Sequence, residues 1–92
     1  VISYFNIGYG YASKNEYIPA IDNLFKSLGI AESIKNYQYV AKNSKTLGDL
    51  YAVLGDYKKS ENFLLKSIKY YESNNEKSNY LFSLNSLGLL YD

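Results

Sequence analysis

Apolar side chains return every three or four residues along most of this chain. Leu47, Leu50, Tyr51 and Leu54 form one series, and Phe63, Leu64, Ile68 and Tyr71 form another. A third runs through Tyr80, Leu81, Leu84, Leu87, Leu90 and Tyr91. That spacing gathers apolar groups on one side of a 3.6-residue helix. The period-two alternation that marks a half-buried strand is missing. Interruptions fall near 15–16, across 29–36, near 55–56 and at Asn74-Asn75. The pattern predicts five helices, over about 1–14, 17–33, 36–54, 57–73 and 76–91. Asp56 precedes Tyr57 as an N-cap, where a carboxylate accepts orphan backbone N–H groups. Gly55 supplies the preceding turn, and Asn15, which also tolerates a left-handed backbone, holds the same place in the first half of the chain. Pro19 falls in the first turn of its helix, where its missing N–H does little harm.

The pattern also repeats with a period of 40. Ile7-Gly8-x-x-Tyr11, Leu47-Gly48-x-x-Tyr51 and Leu87-Gly88-x-x-Tyr91 are one motif at constant spacing. The same shift lays Asn15-Glu16-Tyr17 on Gly55-Asp56-Tyr57, and Leu24-x-Lys26-Ser27-Leu28 on Leu64-x-Lys66-Ser67-Ile68. A repeat of this length implies a stacked-helix array, which presents surfaces rather than reaction chemistry. The glycines need a cause, because Gly inside a helix costs roughly 1 kcal/mol relative to Ala. Gly8, Gly48 and Gly88 share one phase of the repeat. Close approach of a neighbouring helix would account for all three. Ala20 and Ser60, at matching places on the second helices, are the expected other half of that contact. Leu24 and Leu64 are expected to close the seam, with Tyr11 and Tyr51 covering it.

These residues resemble the tetratricopeptide repeat. The second repeat carries the family's pattern as Leu47-Gly48, Tyr51, Gly55, Tyr57, Ser60, Leu64 and Ser67. The first carries it as Ile7-Gly8, Tyr11, Asn15, Tyr17, Ala20, Leu24 and Ser27, and the third as Leu84, Leu87-Gly88 and Tyr91. Repeats in that family run to about 34 residues. The longer period here implies taller hairpins, at about 1.5 Å per added helical residue. Tyr4, Ser44 and Leu84 stand where the family favours Trp, and Glu32 and Glu72 where it favours a closing Pro. HEAT-type repeats have a similar length, but the Leu-Gly-x-x-Tyr and Gly-Asp-Tyr signatures do not suit them. The resemblance implies an all-α fold: a right-handed superhelical stack of antiparallel helix pairs, an α-solenoid of about five helices. Residues 1–92 then form one array fragment. Repeat 1 spans about 1–40, repeat 2 about 41–80, and the first helix of repeat 3 about 76–92.

Composition narrows the chemistry. The chain has no Cys and no His, which removes thiolates and the commonest bases and transition-metal ligands. Its carboxylates show no paired spacing, and no phosphate-binding Gly loop or metal pattern appears. We therefore expect no enzyme activity, no cofactor and no metal. The net charge is +1 with lysines dispersed, so neither nucleic acid nor a membrane surface is an expected direct partner. No run of 18 apolar residues predicts a membrane span, and no signal peptide is apparent. Twelve tyrosines among sixteen aromatic residues suit half-buried positions, where the ring packs and the hydroxyl stays wet. The chain starts without Met, which suggests a piece of a longer protein. The compartment stays open, with the cytoplasm favoured.

In tetratricopeptide arrays the first helix of each pair lines a concave groove. Carried over by register, the resemblance implies groove positions Ile2, Phe5, Tyr9 and Ser13 in the first repeat. In the second they are Lys42, Lys45, Asp49 and Val53, and in the third Phe82, Asn85 and Leu89. One wall is aromatic and the middle is charged. Such a groove suits a protein or peptide with an apolar anchor and an acidic group for Lys42 or Lys45. The two-carboxylate clamp of chaperone-binding members does not fit, because Asp49 would repel a terminal carboxylate. The expected function is a protein- or peptide-binding scaffold of a larger protein, such as the interaction or sensing region of a bacterial regulator or sensor kinase. The alternative is an architectural or oligomerisation segment with no separate ligand. The last helix is apolar nearly all round, which predicts further repeats beyond it and self-association through Leu81, Leu84 and Leu90.

Overall fold

Four of the five expected stretches are helices: α1 (Ile2–Ser13), α2 (Tyr17–Ser33), α3 (Tyr37–Val53) and α4 (Tyr57–Ser73). The computed structural model describes residues 2–73, and among the described residues the fold is all-α with no strand. The expected helix over 76–91, with Gly88 in it, lies outside the described residues. α2 and α4 have the bounds that periodicity predicts. α3 is one residue shorter at each end than the expected 36–54, because Asn36 and Leu54 cap it.

Three of the helices end in the same way. Asn15, Lys35 and Gly55 adopt left-handed backbone conformations, with φ of 61°, 58° and 84°. At each of them two backbone bonds close the helix end. Asn15 N–H donates to the Ala12 carbonyl and Glu16 N–H to that of Tyr11. Lys35 pairs with Glu32 and Asn36 with Ala31; Gly55 pairs with Ala52 and Asp56 with Tyr51. This is the Schellman arrangement, which satisfies carbonyls that the helix end would orphan. The three sites are 20 residues apart, and Tyr17, Tyr37 and Tyr57 each open the helix that follows. α2, α3 and α4 are all 17 residues long. The backbone thus repeats every 20 residues where the side-chain motif repeats every 40. Capping varies: Asp56 Oδ1 accepts from Lys59 N–H at 3.2 Å and Asn36 Oδ1 from Tyr39 N–H at 3.4 Å. Glu16 makes no such bond.

The mid-helix glycines sit where helices touch. A Cβ placed on Gly48 would lie 2.7 Å from Leu64 Cγ and 3.2 Å from the Ser60 carbonyl oxygen. One on Gly8 would lie 2.8 Å from Leu24 Cγ and 3.1 Å from the Ala20 carbonyl oxygen. Both hairpins, α1–α2 and α3–α4, therefore share one seam, built from the expected residues. In the second, Ser60 Oγ also donates to the Gly48 carbonyl at 2.7 Å, so a buried hydroxyl spans the contact. Leu24, Leu64, Ala20 and Ser60 are fully or almost fully buried.

The hairpins pack on each other through α2 and α3, whose Leu28, Ala31, Val40, Leu47 and Leu50 join the core. Side chains also link alternate helices. Phe5 of α1 meets Tyr39 of α3, and Phe25 of α2 meets Phe63 of α4. Lys66 Nζ of α4 reaches Glu32 Oε2 of α2 at 3.3 Å. α1 thus reaches α3, and α2 reaches α4, through side chains.

Replacing Gly48 with Ala tests the seam. The added methyl favours the helix but must displace Leu64, so a net loss of about 1–2 kcal/mol is expected. Gly29 is the control: it lies inside α2 with nothing within 4 Å of an added Cβ. Gly29→Ala should gain about 0.5–1 kcal/mol in urea denaturation. Equal gains at both positions would refute the close-contact account.

Candidate functional site

The expected groove positions of α1 recur at helical spacing, and their environments differ. Ile2 and Tyr9 are each 55% exposed. Ser13 is exposed, with its hydroxyl donating to the Tyr9 carbonyl at 3.0 Å. Phe5 is half-buried. Its ring lies 6.0 Å from that of Tyr9 and meets Tyr39 edge-on at 5.5 Å. Edge-to-face rings at this separation attract through their quadrupoles, by about 0.5–1.5 kcal/mol beyond area burial.

On α3, Lys42 Nζ stands 4.9 Å from the centre of the Tyr39 ring. A cation over an aromatic face is held electrostatically, at about 0.5–1 kcal/mol near the surface. Among the described residues no carboxylate pairs with Lys42. Lys45 differs: its Nζ lies 2.7 Å from Asp49 Oδ2, one turn along the same helix. The pair is partly exposed, so it adds little stability, but it neutralises Lys45 locally. Val53 ends the series on α3, exposed.

The structure therefore brings Tyr9, Phe5 and Lys42 into one strip and joins them through Tyr39. Sequence reasoning missed Tyr39. The 40-residue shift places one counterpart before residue 1 and the other at Asn79, so the repeat offers no aromatic register for it. Its spacing of three from Lys42 on a helix was the available signal. Of the two candidate cations, Lys42 is the one open to an anion. Phe82, Asn85 and Leu89 lie outside the described residues, as do Leu81, Leu84 and Leu90.

A second surface lies on the other side of α1. Asn6, Ile7, Gly10, Tyr11 and Lys14 line an open hollow of about 220 Å³. Ile7 is 48% exposed, whereas its counterpart Leu47 is fully buried. The face of α1 that corresponds to the covered face of α3 is thus open to solvent.

Among the described residues, no group of three or more Asp or Glu is placed to hold a metal ion, and no helix is long and apolar enough to cross a membrane. No family model, no curated protein and no solved structure matches this chain.

Truncating Tyr39 should loosen this strip. Tyr39→Ala removes a half-buried ring with two aromatic or cationic neighbours, and should cost about 2 kcal/mol in thermal unfolding. Lys45→Ala, which breaks a surface pair, should cost less than about 0.5 kcal/mol. The reverse order would show that the ion pair, not the ring, organises the strip.

Proposed function

We propose that this chain is a tetratricopeptide-like array segment serving as a protein- or peptide-binding scaffold in a larger protein. The support for the array is the 40-residue motif, the shared Gly seam in both hairpins and the side-chain contacts between alternate helices. The observation that carries the binding reading is the strip Tyr9–Phe5–Tyr39–Lys42 along the first helices of the pairs. It offers an aromatic surface that packing has already ordered, beside a lysine with no carboxylate partner among the described residues. A ligand with an apolar anchor and a nearby Asp or Glu complements both. The rings lose little conformational freedom on binding, because Phe5 and Tyr39 already hold each other.

Two observations favour an architectural role instead. Lys45 and Asp49 satisfy each other, and Phe5 is turned toward α3. Both are arrangements that a segment with no ligand would adopt. The two readings separate at Tyr9 and Lys42.

A random peptide library displayed on phage, selected against the 92-residue chain, checks this directly. Enriched peptides should carry an acidic residue close to an aromatic or aliphatic one. Tyr9→Ala combined with Lys42→Glu should weaken them at least about tenfold, as loss of an aromatic anchor and a charge reversal would. The unfolding midpoint should barely change. If no peptide is enriched, or if the double variant binds as the parent does, the architectural reading stands.

A further inference from the structure

The chain has no Cys, Met, Trp or His, but it has twelve Tyr. Cys and Met are the usual sinks for oxidation, and Trp and His are the next to react. With all four absent, an electron taken from a side chain of this protein comes from a tyrosine. A phenoxyl radical that lies against a second phenol ring has a partner for coupling. Tyr37 and Tyr70 are such neighbours: their ring centres lie 5.4 Å apart, with 17° between the planes. Tyr9, Tyr39 and Tyr51 meet phenylalanine rings, which carry no phenol to oxidise. Nearly parallel rings in contact stand about 3.5 Å apart face to face. At a centre separation of 5.4 Å the two rings are therefore offset, edge over edge. Each edge of a phenol carries one carbon ortho to the hydroxyl, the position where radical spin collects. The fold holds the pair in place. Tyr37 is the first residue of α3 and Tyr70 lies in the last turn of α4, so the stack bridges the end of the hairpin opposite the Gly55 joint. Tyr37 is 43% exposed and Tyr70 half-buried, which leaves the pair open to an oxidant from solvent.

We propose that Tyr37 and Tyr70 form a radical-coupling site, joined by a dityrosine bond when the protein meets a haem peroxidase turning over hydrogen peroxide, which draws electrons singly. Each phenol loses one electron and its O–H proton. The two radicals join through a bond between one Cε of Tyr37 and one Cε of Tyr70. Each joined carbon then gives up its hydrogen as a proton, and each phenol oxygen regains one. In sum two electrons and two protons leave the pair, and one hydrogen peroxide takes them up to become two waters. The new bond closes a covalent loop over α3 and α4, which restricts the unfolded chain as a disulfide would. A chain without cysteine thereby gains an oxidative cross-link that thiols do not reverse, since it contains no S–S bond.

The test treats the dilute 92-residue chain with a haem peroxidase and hydrogen peroxide, isolates the monomer and digests it with trypsin. Mass spectrometry should find a monomer lighter by two hydrogens, with peptides 36–42 and 70–77 joined through Tyr37 and Tyr70. The unfolding midpoint of that product should rise by roughly 10 °C. Tyr37→Phe keeps the stacked ring and removes the phenol, so this product should disappear while the helical circular dichroism stays. Tyr70→Phe is read in the same way should Tyr37→Phe fail to fold. Tyr57 is more exposed than Tyr37, at 60%, so Tyr57→Phe tells contact from exposure and should leave the product unchanged. Absence of an intrachain product, coupling mainly at other tyrosines, or a product that persists in a folded phenylalanine variant overturns the proposal.

Discussion

Each hairpin rests on a place where the backbone of one helix lies directly against the other. At Gly8 and Gly48 the space that a methyl would need is already filled by a leucine and a carbonyl from the opposite helix. Dispersion rewards such contact strongly, because many atoms reach van der Waals distance at once. It outweighs the roughly 1 kcal/mol that glycine costs in a helix interior. The rest of the packing follows from it. With the helices this close, Leu24 and Leu64 have one place to go and are fully or almost fully buried. Ser60 comes within bonding distance of the Gly48 carbonyl, so the seam tolerates a hydroxyl without orphaning it. Tyr71 is buried, whereas other large aromatic side chains lie at the margins. Tyr51 and Phe63 stack there at 5.8 Å with nearly parallel rings.

What the sequence made legible, and what it hid, divides along physical lines. The Gly8 and Gly48 contacts were readable because a helix-weakening residue that recurs at a fixed phase points to close packing. The turns at Asn15 and Gly55 were readable because both residue types accept positive φ cheaply. Lys35 was not, since lysine carries no such preference. Its conformation comes from the Schellman bonds around it and from the helices it joins, not from its own side chain. The family resemblance singled out Phe5, Tyr9 and Lys42 as expected groove positions. It said nothing of Tyr39, which has no aromatic counterpart to compare. Nor could spacing reveal that Lys45 and Asp49 neutralise each other, because an i,i+4 pair on a helix is a possibility in sequence and a fact only in coordinates. Asn43 was hidden for a simpler reason: a polar residue in a helical pattern reads as surface.

The two periods of this chain describe two different things. Twenty residues is the period of the backbone: a 17-residue helix and a short joint with one left-handed residue. Forty is the period of the seams. Within a hairpin the seam is tight and organised by glycine. Between hairpins it is aliphatic and crossed by the Asn43–Ser27 bond. Were both seams alike, little would distinguish α2, α3 and α4, since each is 17 residues long. The alternation removes that degeneracy. Each helix carrying the glycine motif closes on one that presents Leu with Ala or Ser a turn before it, and the Asn43 amide of α3 donates both to the Ser27 hydroxyl of α2 and to the Tyr39 carbonyl. Side-chain chemistry thus supplies the order that backbone geometry leaves undecided. It also sets Phe5 of α1 edge-on against Tyr39 of α3, beside Lys42.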